Sequence, residues 1–169
     1  SMSTLKVNNI NTVTGSPVSV ACAFFAQGGG SNYTISASTY VQNTQLTANE
    51  IDTHNAFASS TFTVPSGQAG LYKLYYVAYI DFDGIGDDGK TARSAIYKNG
   101  SAIAQHDITD NAAADLLSVS VAVSTIANLS EGDTITFFNR AADSGGSSSP
   151  SIFVGGSGQY TYCYGHRII

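Results

Sequence analysis

The chain is 169 residues long and 43% hydrophobic, the size and apolar content of one domain with a single core. Only 11% of its residues are charged, against about 25% in an ordinary soluble domain; with 17 Gly, 10 Tyr and abundant Thr and Val, it argues against a Lys- and Glu-paved helical surface and reads as all-β. A net charge of −5 disfavours sequence-independent binding to nucleic acid, and two cysteines give neither a disulfide scaffold nor the paired spacing of a zinc site.

Residues 1–20 read as an N-terminal arm, with isolated Leu5, Val7, Ile10 and Val13 in no clean period; Ser1 ahead of Met2 reads as an expression scar before a natural initiator. The run Val18 to Ala26 is too short to span a bilayer and lacks a basic lead, so it is expected to be a strand and not a signal peptide. From Ala21 to Ala26 it is apolar on both faces, which requires cover on both sides, and Gly28-Gly29-Gly30 ends it. The polar stretch Ser31 to Ser60 holds short candidate strands around Thr34 to Ser36 and Tyr40 to Leu46. Thr61 to Val64 alternates until Pro65 stops it.

Leu71 to Ile80 places Tyr72, Leu74, Tyr76, Ala78 and Ile80 on one face, and Leu71, Tyr75, Val77 and Tyr79 on the other, where only Lys73 interrupts. After an acidic, glycine-rich loop, Asp81 to Lys90, the runs Ala92 to Tyr97 and Ala102 to Asp107 flank Asn99-Gly100, whose tolerance of positive φ predicts a type I′ hairpin. Leu117, Val119, Val121 and Val123 alternate with small residues as a half-buried strand, and Glu131-Gly132-Asp133 turns the chain into Thr134 to Phe138. A Ser/Gly loop, Asp143 to Ser149, precedes Pro150, and Tyr160, Tyr162 and Tyr164 recur in period two in the last run. Short strands spaced by turns predict a two-sheet antiparallel sandwich or jelly roll over residues 21–169.

Seven of the ten tyrosines sit on two runs, Tyr72, Tyr75, Tyr76 and Tyr79 on one and Tyr160, Tyr162 and Tyr164 on the other. One face of such strands fills the core; the second must meet another surface, either a second copy of the chain or loops folded over it, and Tyr suits an interface because its ring buries while its hydroxyl finds a partner.

Thr61-Phe62-Thr63-Val64-Pro65 followed by Gly70-Leu71-Tyr72-Lys73-Leu74 resembles the Phe-Thr-x-Pro and Gly-x-Tyr-x-Phe core pattern of the complement-one-q and tumour-necrosis-factor-like jelly roll, with Leu in place of the usual aromatic. Tyr97-Lys98-Asn99-Gly100 resembles its strand-turn-strand, Leu129-Ser130-Glu131-Gly132-Asp133-Thr134-Ile135 its Leu-x-x-Gly-Asp-x-Val turn, and Ser151-Ile152-Phe153 its late Ser-x-Phe. The closing Gly-rich segment departs from the family's Phe-Ser-Gly ending. The resemblance covers about Ala21 to Ile169 and implies a compact homotrimer whose inner sheets meet at the threefold axis through Phe25, Tyr75, Val77, Tyr79, Tyr160, Tyr162 and Tyr164. It also implies adjacent first and last strands, with Cys22 and Cys163 close together and expected as buried thiols. Arg167 would pair with an acidic residue across subunits.

The opening Ser3-Thr4-Leu5-Lys6-Val7-Asn8-Asn9-Ile10 resembles the first phrase of short bacteriophage tail-fibre and virion proteins. The implied function is that of a non-enzymatic phage virion protein, a tail fibre or knob, made in the host cytoplasm without a signal peptide. Its arm would attach it to other virion proteins, and its loops would bind a host-surface glycan or protein, with Tyr33, Asp87, Asp88, Asn111 and Ser144 to Ser149 as receptor-facing positions. Capsid decoration without a ligand and a secreted trimeric ligand of the same fold are the alternatives.

Candidate chemistry is sparse. Gly84-Ile85-Gly86-Asp87-Asp88-Gly89 matches a dinucleotide-binding string, yet no helix pattern follows it and its aspartates would repel a pyrophosphate. Asp81, Asp83, Asp87 and Asp88 offer oxygen donors for calcium, but off EF-hand spacing, so a solvated acidic turn is the plainer reading and no cofactor is expected. His54, His106 and His166 lie in unlike contexts and are expected at the surface, with His106-Asp107 near Asp110 in a loop; no nucleophile elbow is present and no enzyme is expected. The sequons at Asn32, Asn99 and Asn128 matter only in a eukaryotic secretory pathway.

Overall fold

The alternating runs become strands in the computed structural model, which describes residues 20–29, 32–35, 39–82, 89–109, 118–143, 151–153 and 160–168. In chain order they are β1 (Ala23–Gly28), β2 (Tyr33–Thr34), β3 (Val41–Gln42), β4 (Leu46–Asp52), β5 (Phe57–Ala58), β6 (Thr61–Thr63), β7 (Gly70–Asp81), β8 (Gly89–Lys98), β9 (Ser101–Thr109), β10 (Ser118–Leu129), β11 (Thr134–Asp143), β12 (Ser151–Phe153) and β13 (Tyr162–Arg167). They form two antiparallel sheets. Sheet I runs β2-β12-β7-β13-β1-β4, with β10 on the other edge of β7; sheet II runs β5-β6-β11-β8-β9, with β3 also on β11. The first and last strands pair directly, Phe25 opposite Tyr164 and Ala26 opposite Cys163.

The Asn99-Gly100 turn is the expected hairpin, with φ of 50° and 79°. Elsewhere the structure differs from the pattern. The polar stretch hides β4, a seven-residue edge strand in which Leu46 is buried while Thr47 and Ile51 are exposed; an edge strand facing water on one side needs few apolar residues, so periodicity gives no signal there. β11 runs on past Phe138 to Asp143 because it stays paired with β8. His106 and Asp107 lie within β9, not in a loop, since the hairpin continues to Thr109.

The sandwich interior is filled by the inward residues of both sheets. Phe24 stacks on Phe62 at 4.5 Å and on Phe57 at 5.2 Å, and Phe62 meets Tyr72 at 5.6 Å. This stack depends on Gly165. A Cβ there would stand 2.5 Å from Phe24 Cε1 and 2.9 Å from Leu74 Cδ2, so Gly165→Ala drives a methyl into packed side chains. Urea unfolding of that variant is expected to show a loss of about 1–3 kcal/mol.

The turns that carry the family resemblance are fastened to one another. Val64 N–H donates to Asp133 O at 2.9 Å and Gly132 N–H to Val64 O at 2.9 Å, joining the Thr61–Pro65 segment to the Glu131–Asp133 turn. Asn99 Nδ2 donates to Asp133 Oδ1 at 2.7 Å, Ser130 N–H to Asp133 Oδ2 at 2.7 Å, and Lys98 Nζ lies 2.8 Å from Asp133 Oδ2. The Lys98 ammonium, the Asn99 amide and the Ser130 N–H hold the Asp133 carboxyl down at about 2. A carboxylate with a depressed folded pKa stabilises above its unfolded value and loses that contribution as pH falls through the folded one. Asp133→Asn is therefore expected to lower Tm by about 2–4 °C at neutral pH, for a contribution of about 1 kcal/mol, with the difference shrinking between about pH 4 and pH 2.

Candidate functional site

The outer face of sheet I is where the period of two leaves aromatic side chains with no core to fill. In one row Ile51 of β4, Phe25 of β1, Tyr164 of β13, Tyr75 of β7 and Ser124 of β10 lie side by side; the next row holds Thr47, Gln27, Tyr162, Val77 and Ala122. The rings form a ladder across the strands. Phe25 and Tyr162 are 5.8 Å apart, Tyr75 and Tyr162 5.8 Å, and Tyr75 and Tyr164 5.0 Å at an interplanar angle of 16°, with Tyr79 against Tyr160 at 5.2 Å farther along β7. Such ring pairs contribute about 0.5–1.5 kcal/mol each beyond burial and hold the face rigid.

The face is neutral at its centre. Burial, with Tyr162 and Tyr164 close by, raises the Tyr75 phenol above its ordinary value, so it stays protonated and donates a hydrogen bond without charge. Among the described residues charge enters at its two ends, where exposed Lys73 stands opposite exposed His166 and where half-buried Asp81 ends β7. Val77 is covered by its neighbours, 7% exposed, whereas Tyr160 keeps 50%, Ile51 47% and Ile126 62% of their surfaces in water. Among the described residues the face is thus open at its rim and dense at its middle.

The seven interface positions read from the tyrosine pattern and the resemblance, Phe25, Tyr75, Val77, Tyr79, Tyr160, Tyr162 and Tyr164, belong to strands of this one sheet or its immediate flank. Ile51 and Ile126 escape the sequence reading. Ile51 sits on the hidden edge strand; Ile126 continues the alternation Ser120, Ala122, Ser124 on β10, where small polar residues masked the outward side as plain solvent surface.

Other expected site residues are placed differently. Tyr33 is not at a loop tip: it is half-buried on β2, in register with Ile152 and through it Ile80, both core residues, and burial raises its phenol pKa. Arg167 alternates with Cys163 and Gly165 on the inward side of β13, opposite Tyr72, so its side chain does not join the outer face. Cys22 and Cys163 are free and buried, and burial raises both thiols. His106 on β9 of sheet II donates from Nδ1 to Ala122 O at 2.6 Å, whereas His54 Nδ1 lies 2.8 Å from Thr53 Oγ1 and His166 is paired with Ala23 and Lys73 on sheet I, so His106 shares no site with the other two.

Asp81 ends β7, half-buried, opposite Ser118 and Ser151. Asp83, Asp87, Asp88, Asn111, the glycine-rich string, Ser144 to Ser149 and the arm to residue 19 lie outside the described residues. Among the described residues no group of three or more His, Cys, Asp or Glu is gathered as metal ligands would be, and no helix is long and apolar enough to cross a membrane.

Neither a protein-family model nor a curated protein matches the chain. Solved structures do. Eiger TNF from S. frugiperda superposes with a TM-score of 0.65 at 12% identity, over 88% of this chain and 93% of that one. Murine APRIL superposes with a TM-score of 0.61 at 12% identity, over 88% of this chain and 100% of that one. At such identity the likeness is one of fold: the chain is a two-sheet antiparallel jelly roll of the tumour-necrosis-factor-like type.

Proposed function

We propose that this chain is a non-enzymatic recognition domain that works as a homotrimer closed through the outer face of sheet I. The observation that carries this reading is the aromatic ladder of Phe25, Tyr75, Tyr162 and Tyr164, rimmed by exposed Ile51, Ile126 and Tyr160, on a sheet whose other face already fills the core. In a single chain the rings stack on one another but leave part of their apolar surface in water, whereas three copies facing one axis would bury it. The tumour-necrosis-factor-like resemblance supports the same stoichiometry. Multi-angle light scattering at micromolar concentration should give about three times the 17.6 kDa chain mass; a clean monomer would remove the basis of the proposal.

Within this reading we place the trimer on a bacteriophage virion, with its arm toward other virion proteins and its remaining surface toward the host cell. The resemblance of Ser3 to Ile10 to tail-fibre openings supports that setting. Immunogold labelling of particles and binding to host cells test it together. Tail labelling with host binding supports recognition; capsid labelling without host binding replaces it by decoration; and no labelling of any particle returns the chain to the reading of a free trimeric ligand, which the fold shared with Eiger TNF supports.

A further inference from the structure

Where β4, the edge of sheet I, meets the β5–β6 hairpin at the edge of sheet II, a cavity of about 240 Å³ opens between them. Leu46 and Phe57, 3% and 7% exposed, make its apolar floor with Ala58 beside them. Thr44, Thr47 and Ser59 bring hydroxyls to its wall. Among the described residues, those that line it carry no charge.

Two features of this cavity go beyond what packing requires. The first is an open peptide edge. Gly29 N–H donates to Gln45 O at 3.0 Å, so by strand alternation Gln45 and Thr47 turn their backbone groups toward β1, and Leu46 and Ala48 turn theirs off the edge of the sheet. At Leu46 the outward pair is taken, since Ser60 Oγ accepts from its N–H and donates to its C=O, both at 3.0 Å. At Ala48 one N–H and one C=O are left at the cavity without such a cap among the described residues. The second feature is strain. Ala58 pairs with Thr61, which makes Ser59-Ser60 a two-residue turn at φ of 49° and 57°, left-handed values that Asn99-Gly100 meets more cheaply elsewhere in this chain. Ser60 needs its side chain to cap Leu46. Ser59 gives only its backbone O, to Thr61 Oγ1 at 3.3 Å, and its hydroxyl is left to the cavity, where a Gly would fold with less strain.

We infer that this cavity binds a neutral N-acetylated hexosamine, with the acetamido group lodged at Ala48. An acetamido group carries one N–H, one C=O and one methyl; the Ala48 C=O and N–H answer the first two, and the floor of Leu46 and Phe57 takes the third. The Thr47 and Ser59 hydroxyls both donate and accept, as the hydroxyls of a sugar ring do. The volume falls below the range of about 300–1,000 Å³ typical of drug-sized ligands and leaves room for one ring. A charged ligand would meet no counter-charge among the described lining residues, and an added peptide strand would run into Ser60, which already occupies the edge at Leu46. The site rests on the recognition reading above, since it names what that domain takes hold of; it does not require the trimer, because it lies at the β4 edge and not on the aromatic ladder.

Amide NMR titration of the full chain with N-acetylglucosamine is expected to give saturable shifts centred on Ala48 and Ser59 with a millimolar Kd, and about tenfold weaker binding of glucose, which lacks the acetamido group. Ser59→Gly should weaken binding about threefold to tenfold, the worth of one neutral hydrogen bond, while raising Tm by about 2–4 °C, because it removes the hydroxyl and the strain together. Thr47→Val, at an exposed strand position, should weaken binding by a similar factor and leave Tm nearly unchanged. Circular dichroism melts supply both Tm values and confirm that the variants fold. No saturable shift up to tens of millimolar sugar, glucose or N-methylacetamide binding as tightly, shifts centred away from Ala48, or unchanged affinity in either variant would each overturn the proposal. Light scattering and host-cell binding on the same preparation keep the readings apart: a monomer that binds the sugar refutes only self-association, and a protein that holds host cells but ignores the sugar refutes only this site.

Discussion

Tyr162→Asp is expected to convert a trimer into a folded monomer at micromolar concentration. Tyr162 lies between Phe25 and Tyr75, 5.8 Å from each, at the centre of the ladder where an assembly would exclude water. A carboxylate there must be buried without a cation, since Lys73 and His166 lie at the far end of β7 and β13, and leaving one buried charge unpaired costs about 3–5 kcal/mol. The change enters three times in a trimer, and each 1.4 kcal/mol is about tenfold in the association constant, so even partial relief leaves assembly beyond micromolar reach. The single chain loses much less, because in the monomer the new carboxylate faces water and only the ring contacts, about 0.5–1.5 kcal/mol each, disappear. Tyr162→Phe is the control, keeping the ring and the trimer. Sedimentation velocity on the two variants separates the outcomes; Tyr162→Asp sedimenting as the unmodified protein does would place the contact surface elsewhere.

The core strands were legible because both of their faces carry a message. On β7 the even positions Tyr72 to Ile80 and, apart from Lys73, the odd positions Leu71 to Tyr79 are both apolar, and the structure buries the first set in the sandwich and lines the second along the outer face. Edge elements were not legible. β4 reads as a polar loop because its residues answer to solvent on one side and to a bulged pairing with β1 between Phe25 and Ala26 on the other, neither of which leaves an alternating trace. Tyr33 reads as a loop tip for the same reason: two residues of strand are too few for a period, and only the register with Ile152 and Ile80 shows that its ring turns inward. The cavity walls were hidden differently. Thr47 and Ser59 stand on separate elements of separate sheets, and nothing short of the Ser60 hydroxyl on Leu46 shows that they close on one space.

The second large effect is expected from one hydroxyl. Tyr76 on β7 donates to Asn139 Oδ1 on β11 and accepts from Asn43 Nδ2 at 3.1 Å; Asn139 Nδ2 in turn donates to Ser94 Oγ at 2.9 Å, and Ser94 Oγ donates to Val121 O on β10 at 3.0 Å. The chain of bonds crosses from sheet I to sheet II and back, with Tyr76, Asn43, Asn139 and Ser94 all at 0% exposure. Tyr76→Phe keeps the packing, including the ring contact with Phe137 at 5.0 Å, and strands an amide donor and an amide acceptor in the core. At about 1–3 kcal/mol for each orphaned group, softened by rearrangement, a loss of about 2–4 kcal/mol is expected in urea unfolding. Adding Asn139→Ala should cost less than the sum of the two single changes, since the second removes a partner already stranded. The same hydroxyl governs the alkaline limit. Burial pushes the Tyr76 phenol well above its ordinary value, so its contribution is present in full below the unfolded phenol pKa of about 10 and is lost as pH rises past it, where only the unfolded chain releases the proton. Stability measured from pH 8 to 11 should therefore fall more gently in Tyr76→Phe than in the unmodified protein, with the two curves converging from the high-pH side. Parallel curves over that range would mean that the phenol ionises in place, and that the two sheets are held in register by packing without the buried bonds.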